Sequence, residues 1–166
     1  MPKEYQELIK HRNRDINLNM GAGKKEGYSL LLKKGVSSKI IKKFLPKNDK
    51  NLFINITIST LKNICEKYIP KKQEINFCKI DVEGAEKDVL LGYDFDNYRP
   101  KVFCIESTKP GTYKPCYEQW EDILLKNDYS FVYQYEINRF YIDNRFPYLK
   151  ERFFEVNQMI NKYKHK

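Results

Sequence analysis

Several short segments of the chain alternate apolar and polar residues, which is the period of β-strands with one buried face. The clearest is residues 53–59, "FINITIS", where isoleucine occupies every second inner position. Residues 15–20, "DINLNM", alternate in the same way, and residues 28–32, "YSLLL", are also strand-like. We therefore expect three strands here, with the glycine-rich residues 21–27 forming a turn between the first two.

Residues 60–68, "TLKNICEKY", change to the apolar spacing of three and four positions that is typical of an α-helix. Ser59 or Thr60 is placed to cap the first turn, because a hydroxyl oxygen there can accept a free backbone N–H. Pro70 marks the end of the helix, since proline cannot continue it. A strand is thus expected to lead directly into a helix.

Two later runs, residues 75–81 and 101–107, are short and apolar on both faces, as expected for central strands of a parallel sheet covered by helices. Residues 85–95 between them carry a helical pattern, so the three segments predict a β-α-β unit. The carboxyl ends of parallel strands meet at one rim of a sheet, where ligands of α/β proteins bind. Asp81 and Glu106, each near the end of a run, are therefore expected on the same rim.

The remaining chain predicts a Lys-rich solvated loop at 33–51 with at most one helical turn, and a helix at 116–129. Residues 130–136 and 138–143 predict an antiparallel pair, and residues 147–166 an amphipathic helix. The apolar stripe of this last helix consists of Leu149, Phe153, Val156, Ile160 and Tyr163. We expect one domain over residues 1–145, followed by this helix at 146–166.

Composition narrows the class of protein. With 41% hydrophobic and 14% aromatic residues the chain is too apolar to be disordered, so a globular protein is expected. No apolar run has the length of a membrane span and the N-terminus has no signal-peptide pattern, which favours a cytoplasmic protein without membrane attachment. The four cysteines lack metal-binding spacing, so reduced thiols and no bound metal are expected.

The net charge of +9 could suggest a nucleic-acid partner. However, 25 of the 31 basic residues are lysine, whereas arginine is the side chain that grips phosphate and guanine with two bonds. Nucleic-acid binding is therefore not expected. The segment 21–27, "GAGKKEG", is not a phosphate loop either, because Glu26 stands where a dinucleotide fingerprint needs its third glycine.

Residues 78–108, "CKIDVEGAEKDVLLGYDFDNYRPKVFCIEST", resemble the signature region of the FkbM family of S-adenosylmethionine-dependent methyltransferases. Residues 14–27, "RDINLNMGAGKKEG", and 58–70, "ISTLKNICEKYIP", are similar to the preceding segments of that family. Together the similarity covers residues 12–143 in the same order. The run "KIDVEGAE" is the most specific part of it.

The resemblance implies a Rossmann-like methyltransferase sheet in which "KIDVEG" is the fourth strand and its exit, and "KVFCIES" the fifth. It also implies methyl transfer from S-adenosylmethionine to an oxygen, often of a sugar or another small metabolite. Members of the family carry two earlier strands, one ending in a glycine loop and one in an acidic residue. The printed sequence begins after both, so we expect a partial sheet that lacks the first β-α-β unit.

This expectation leaves the activity of the chain open. Another chain could supply the first unit, as a complementary N-terminal piece or a second copy, the sequence could continue upstream, or the protein could be an inactive remnant. For the printed chain alone we expect weak cofactor binding at most. The alternative function is a non-catalytic binding or assembly module that retains half of a methyltransferase sheet.

The resemblance and the position of the carboxylates suggest roles for five residues. Gly21, Ala22 and Asp81 are the expected cofactor contacts. Methyl transfer to an unactivated hydroxyl requires a general base, and Asp81 and Glu83 are the first candidates, with Glu106 third. The same three carboxylates would be the oxygen ligands of Mg²⁺ in a less favoured metal-dependent alternative.

Glu86 has a different expected role. It falls in the first turn of the predicted helix, where the helix dipole stabilises a negative charge. Gly84, two residues earlier, allows the tight bend between strand and helix. We therefore interpret Glu86 as a structural carboxylate.

Overall fold

A computed structural model of the chain describes residues 3–32, 39–41 and 53–164. The strands are β1 (Gly21–Ala22), β2 (Gly27–Leu32), β3 (Lys39–Ile41), β4 (Phe53–Ser59), β5 (Ile75–Ile80), β6 (Pro100–Glu106), β7 (Tyr129–Tyr135) and β8 (Asn138–Asp143). The α-helices are α1 (Lys3–His11), α2 (Leu61–Tyr68), α3 (Glu86–Leu91), α4 (Glu121–Leu125) and α5 (Leu149–Lys164), and a 3-10 turn covers Tyr117–Gln119.

The strands form two four-stranded sheets, ordered β1-β4-β2-β3 and β5-β6-β8-β7. In the second sheet β5 and β6 are parallel, joined through α3, and β6, β8 and β7 pair antiparallel. This confirms the mixed α/β fold of partial Rossmann-like type, the β-α-β unit and the final antiparallel pair. Among the described residues, β5 has β6 as its only strand neighbour and so forms an edge of its sheet.

The core lies on one face of the second sheet, under α3 and α4. Phe103 and Ile105 of β6, Tyr141 of β8 and Leu124 of α4 are fully buried, and Trp120 is 1% exposed. Each such side chain contributes about 1.5–3 kcal/mol when it leaves water. The alternation of β6 places these residues against the helices, which makes β6 the centre of the fold and fixes where its carboxyl end lies.

An ion-pair network stabilises the second sheet at the end where β6 begins and β8 ends. The Asp143 side chain at the end of β8 is fully buried and accepts bonds from Arg99 Nε at 3.0 Å and Arg145 Nη2 at 2.6 Å. Arg99 also donates to the carbonyl of Asn127 before β7. These two arginines outweigh the effect of burial and lower the pKa of Asp143 to about 2.

Helix α3 ends against residues 23–26, the glycine segment that follows β1. The carbonyl of Gly92, the residue after α3, accepts a hydrogen bond from the backbone N–H of Lys62 at 2.9 Å. Lys62 lies in the first turn of α2, which Thr60 Oγ1 caps by accepting from Asn63 N at 3.1 Å. A Cβ atom added to Gly92 would overlap the carbonyl oxygen of Gly23. Gly92 therefore lets two backbones touch and joins the first sheet to the β-α-β unit.

We expect Gly92→Ala to lower the free energy of unfolding by about 2–3 kcal/mol, because the added methyl group has no space beside a backbone carbonyl. The φ of Gly92 is −94°, which alanine adopts freely, so the loss measures the clash alone. Urea denaturation followed by circular dichroism gives the value. Gly111→Ala is the matched control: it has open space but a φ of 69°, so it should cost about 1 kcal/mol.

Residues 15–20 do not form a strand, so that prediction is wrong. The side-chain amide of Asn17 donates to the carbonyls of Arg12 and Asp15, and such local bonds compete with strand pairing. Within the predicted loop 33–51, residues 39–41 form strand β3, which is a second correction. The rest of that loop lies outside the described residues.

Three further predictions need adjustment. The helix expected at 116–129 is divided into a 3-10 turn and the short α4. A central position was expected for β5, yet among the described residues it lies at the edge of its sheet, and its Phe77 is 54% exposed. In α5, Phe153 packs on Phe140 with ring centroids 5.5 Å apart, but Val156 of the predicted stripe is 44% exposed.

Candidate functional site

Two carboxylates lie together where the parallel strands β5 and β6 end. Asp81 follows the last residue of β5, and Glu106 is the last residue of β6, as the sequence predicted for a common rim. The Glu106 residue is only 7% exposed, whereas the Asp81 side chain is 43% exposed and contacts Lys79 Nζ at 3.1 Å. One member of the pair is therefore buried and the other reaches solvent.

Burial and neighbouring negative charge change the acidity of Glu106. Loss of solvation raises its pKa to about 7, and the charge of Asp81, a hydrogen bond to Asp81 and the charges of Glu86 and Glu83 act in the same direction. The Oε2 atom of Glu106 meets no hydrogen-bond donor in the described part of the chain. Burial and the neighbouring negative charges therefore favour a proton on the Glu106 carboxyl up to about pH 7.

The turn from β5 into α3 is held by Glu86. Its Oε1 atom accepts the backbone N–H groups of Val82 at 3.2 Å and Gly84 at 3.0 Å, and the residue is 2% exposed. The backbone is left-handed at Glu83, with φ 54°, and at Gly84, with φ 96°. Glu86 lies in the first turn of α3, where the sequence placed it, and its carboxylate fixes the shape of the turn.

We expect Glu86→Ala to destabilise the protein by about 1–3 kcal/mol, because the half-buried backbone N–H groups of Val82 and Gly84 lose their common acceptor. Hydrogen exchange at Val82 and Gly84 should accelerate more than exchange in the β6 core. Lys87→Ala, an exposed neighbour in the same helix, should leave both unchanged. Unaltered exchange at Val82 and Gly84 in Glu86→Ala would contradict the role of this carboxylate.

The loop that follows β6 packs over this turn. The backbone N–H of Cys116 donates to the carbonyl of Ser107 at 2.7 Å, which closes the loop at its base. A Cβ atom at Gly84 would lie 3.3 Å from Pro110 Cγ, so a larger residue would push the loop away from the turn. The acidic rim is thus enclosed on the side of this loop.

A cleft of about 340 Å³ lies between the glycine segment after β1 and the turn into α3. One wall includes Ala22, Lys24 and Glu26, and the other includes Glu83 and Asp88. Lys24 and Asp88 face each other with 3.9 Å between Nζ and Oδ1. The volume is in the range of small-molecule sites, and the lining presents both positive and negative side chains.

The structure brings some of the predicted site residues together. Ala22 and Glu83 line the cleft. Gly21 pairs with Ile58 of β4 instead, where a Cβ atom would come within 2.7 Å of Ile58 Cδ1, so its lack of a side chain serves packing. Asp81 and Glu106 do not line the cleft but adjoin the turn that forms one wall, and the roles of all five residues stay predictions.

Sequence reasoning missed Lys79 and Asn138. Lys79 Nζ bonds both to Asp81 Oδ2 and to Asn138 Oδ1, the first residue of β8. Strand alternation could have predicted the contact between Lys79 and Asp81, because residues two positions apart in a strand share a face. The contact with Asn138 requires knowledge of the β6–β8 pairing and could not be read from the sequence.

No group of three or more His, Cys, Asp and Glu side chains in residues 3–32, 39–41 and 53–164 is arranged to hold a metal ion. The same part of the chain contains no helix with the length and hydropathy needed to cross a membrane.

Comparison with known proteins connects this geometry with a family. The chain matches the methyltransferase FkbM domain over residues 2–131, a range that includes the cleft, the β-α-β unit and both rim carboxylates. Comparisons with curated proteins and with solved structures give no match. The family match covers most of the chain and confirms the resemblance found in the sequence. The chain belongs to the FkbM methyltransferase family.

Proposed function

We propose that this protein takes part in S-adenosylmethionine-dependent methyl transfer to an oxygen atom of a sugar or another small metabolite. The observation that carries the proposal is Glu106: a buried carboxyl at the rim of parallel strands, with an unpaired oxygen and a pKa raised to about 7. A general base works best when its pKa lies near the operating pH. A packing residue would not require an unpaired buried oxygen.

The cleft beside the rim is suited to the cofactor in charge and size. S-adenosylmethionine carries an ammonium group, a carboxylate and a sulfonium, and the lining offers Glu83, Glu26 and Lys24 as partners of both signs. Val82 and Ile58 add apolar surface for a flat ring. When bound, the cofactor supplies an electrophilic methyl group.

The residues of the chain have distinct tasks in this scheme. Glu106 takes the proton of the acceptor hydroxyl, which makes the oxygen a better nucleophile. Asp81 keeps a negative charge next to Glu106 and thereby raises its affinity for that proton. Glu86 holds the turn that lies between the pair and the cleft, and so fixes the position of Glu106 relative to a methyl donor in the cleft.

The test combines binding and transfer on the full chain. Calorimetry with S-adenosylmethionine should show dissociation in the millimolar range, about −4 kcal/mol, because Lys24 and Glu26 are exposed and solvent weakens their ionic contacts. Incubation with the methyl-labelled cofactor and a panel of methyl glycosides and monosaccharides should then yield labelled ether product. Absence of both heat at millimolar cofactor and labelled product would contradict the proposal.

A second candidate function is a non-catalytic binding or assembly module. It is favoured by the edge position of β5, whose Phe77 is 54% exposed and whose strand has one partner among the described residues. A second copy of the chain, or a complementary chain that adds a strand, would cover this edge. Light scattering after size exclusion distinguishes the candidates: a monomer with methyl transfer activity excludes the module, and an inactive oligomer favours it.

A further inference from the structure

Lys79 occupies an unusual position relative to the acidic rim. It lies on β5 opposite Cys104 of β6, while Glu106 of β6 is paired with Asn138 of β8. The Lys79 ammonium nevertheless bonds to Asn138 Oδ1 and contacts Asp81 Oδ2 at 3.1 Å. Its side chain therefore reaches across the central strand and ties both neighbours of β6 together at the level of Glu106.

Stabilisation of the fold does not explain this arrangement well. The Lys79 and Asp81 side chains are 38% and 43% exposed, and ion pairs with such exposure contribute about 0–1 kcal/mol. The same contact has a larger consequence for the acid pair. Asp81 is partly solvated and lies beside a cation, whereas Glu106 is buried without a donor on Oε2. The negative charge of the pair is therefore better placed on Asp81.

We propose that Lys79 is a positioning residue: it fixes the negative charge of the acid pair on Asp81 and so leaves the exchangeable proton on Glu106. The inference deepens the proposed function and rests on it, since it names the residue that makes Glu106, and not Asp81, the carboxyl that exchanges a proton. Lys79 itself touches neither of the reacting groups in this scheme.

Other charged groups around Glu106 do not give the same assignment. The titratable groups that raise its pKa are the acids Asp81 after β5, Glu86 in α3 and Glu83 in the turn, and β8 contributes the uncharged Asn138. Cys116 in the loop also interacts with Glu106, and its own pKa is raised by burial and by Glu86. Lys109 acts on Cys116 in that loop. In the part of the chain that the structure describes, Lys79 is the cation that contacts a member of the pair.

The experiment is a carboxyl ¹³C NMR titration of the full chain between pH 4 and 9. In the unaltered protein the Glu106 carboxyl carbon should move in one step near pH 7, and the Asp81 carbon should hardly move in that step. In Lys79→Gln both carbons should move together, because the proton is now shared. The pH at the midpoint of the Glu106 titration should rise by about one unit, because Lys79 no longer offsets the negative charge of the ionised pair.

Two further variants serve as controls for the titration of Lys79→Gln. Lys79→Arg keeps the positive charge and should restore the step of Glu106 alone. Lys101→Gln removes another ion pair of the same sheet, Lys101 with Glu74 at 3.0 Å, and should leave the titration unchanged. If Lys79→Gln does not fold, Asn138→Ala removes one anchor of the ammonium and should give partial sharing of the proton.

An unchanged Glu106 midpoint with an immobile Asp81 carbon in folded Lys79→Gln would overturn the inference, and so would an unchanged titration in Asn138→Ala where that variant is used. The readout does not depend on methyl transfer. A protein that titrates as described but transfers no methyl group keeps the charge assignment and loses the proposed function. A protein that transfers methyl groups without the described titration keeps the function and loses Lys79 as its positioning residue.

Discussion

Replacing Glu106 with glutamine is expected to lower the rate of methyl transfer by about 10²–10⁴-fold, the usual contribution of a general base. Glutamine has nearly the same shape, so the packing beneath the loop after β6 is preserved, but its amide cannot take up the acceptor's proton. Single-turnover rates with labelled cofactor give the comparison. Glu118→Gln, an exposed glutamate on the 3-10 turn, should keep the full rate.

The pH dependence of the same variant separates catalysis from folding. The pKa of Glu106 is raised from 4.5 to about 7 in the folded chain, so folding favours the protonated carboxyl. The contribution of Glu106 to stability is therefore complete below about pH 4.5 and is lost as the pH rises through about 7, by roughly 3 kcal/mol. The transfer rate should increase over this same upper range, because the base becomes ionised.

Urea denaturation at pH 5 and pH 8 measures this effect. Glu106→Gln should reduce the difference in unfolding free energy between the two pH values, since it cannot ionise. A wild-type stability that rises between pH 5 and pH 8, with no reduction of the difference in the variant, would contradict the buried and protonated state of Glu106.

Replacing Asp143 with asparagine is expected to destabilise the fold by about 3–5 kcal/mol, the loss typical when one partner of a buried ion pair is removed. The Asp143 side chain is fully buried and the Arg99 side chain is 15% exposed, so Arg99 would retain a charge with little water around it. The network lies at the far end of the sheet from the acidic rim, and the effect should concern stability alone. Thermal and urea denaturation measure it.

The pH dependence of this interaction has the opposite sign to that of Glu106. The pKa of Asp143 is lowered from 3.8 to about 2, so its contribution is present above about pH 3.8 and is lost as the pH falls through about 2. Asp122→Asn is the matched control, because Asp122 forms an ion pair of 2.8 Å with Lys126 whose side chains are 58% and 75% exposed. That variant should change stability by at most about 1 kcal/mol.

The sequence located the acidic rim because it follows from local pattern. Apolar runs that end in a carboxylate, joined by a helical segment, place Asp81 and Glu106 at one edge once the strands are parallel. Which of the two would act as a base could not be predicted, and Glu106 was ranked third. Its environment depends on β8, whose Asn138 pairs with Glu106 from 32 positions further along the chain.

Two glycines show the same difference between what the local sequence predicts and what depends on tertiary contacts. The need for a bend at Gly84 was readable from the strand–helix junction, and the structure has a φ of 96° there. The local sequence at Gly92 indicates at most the end of a helix, whereas a Cβ atom there would overlap the carbonyl of Gly23, 69 positions away along the chain. No local pattern encodes such an approach of two backbones.

By itself the sequence determined the α/β class, the β5–α3–β6 unit, the antiparallel β7–β8 pair and the family, since each depends on residue period or on a contiguous motif. Tertiary structure alone decided the division into two sheets, the cleft between the glycine segment and the turn into α3, and the bridge from Lys79 to Asp81 and Asn138. Burial and the electric field at a carboxylate arise from side chains that are brought together by folding. Their order along the chain therefore does not disclose them.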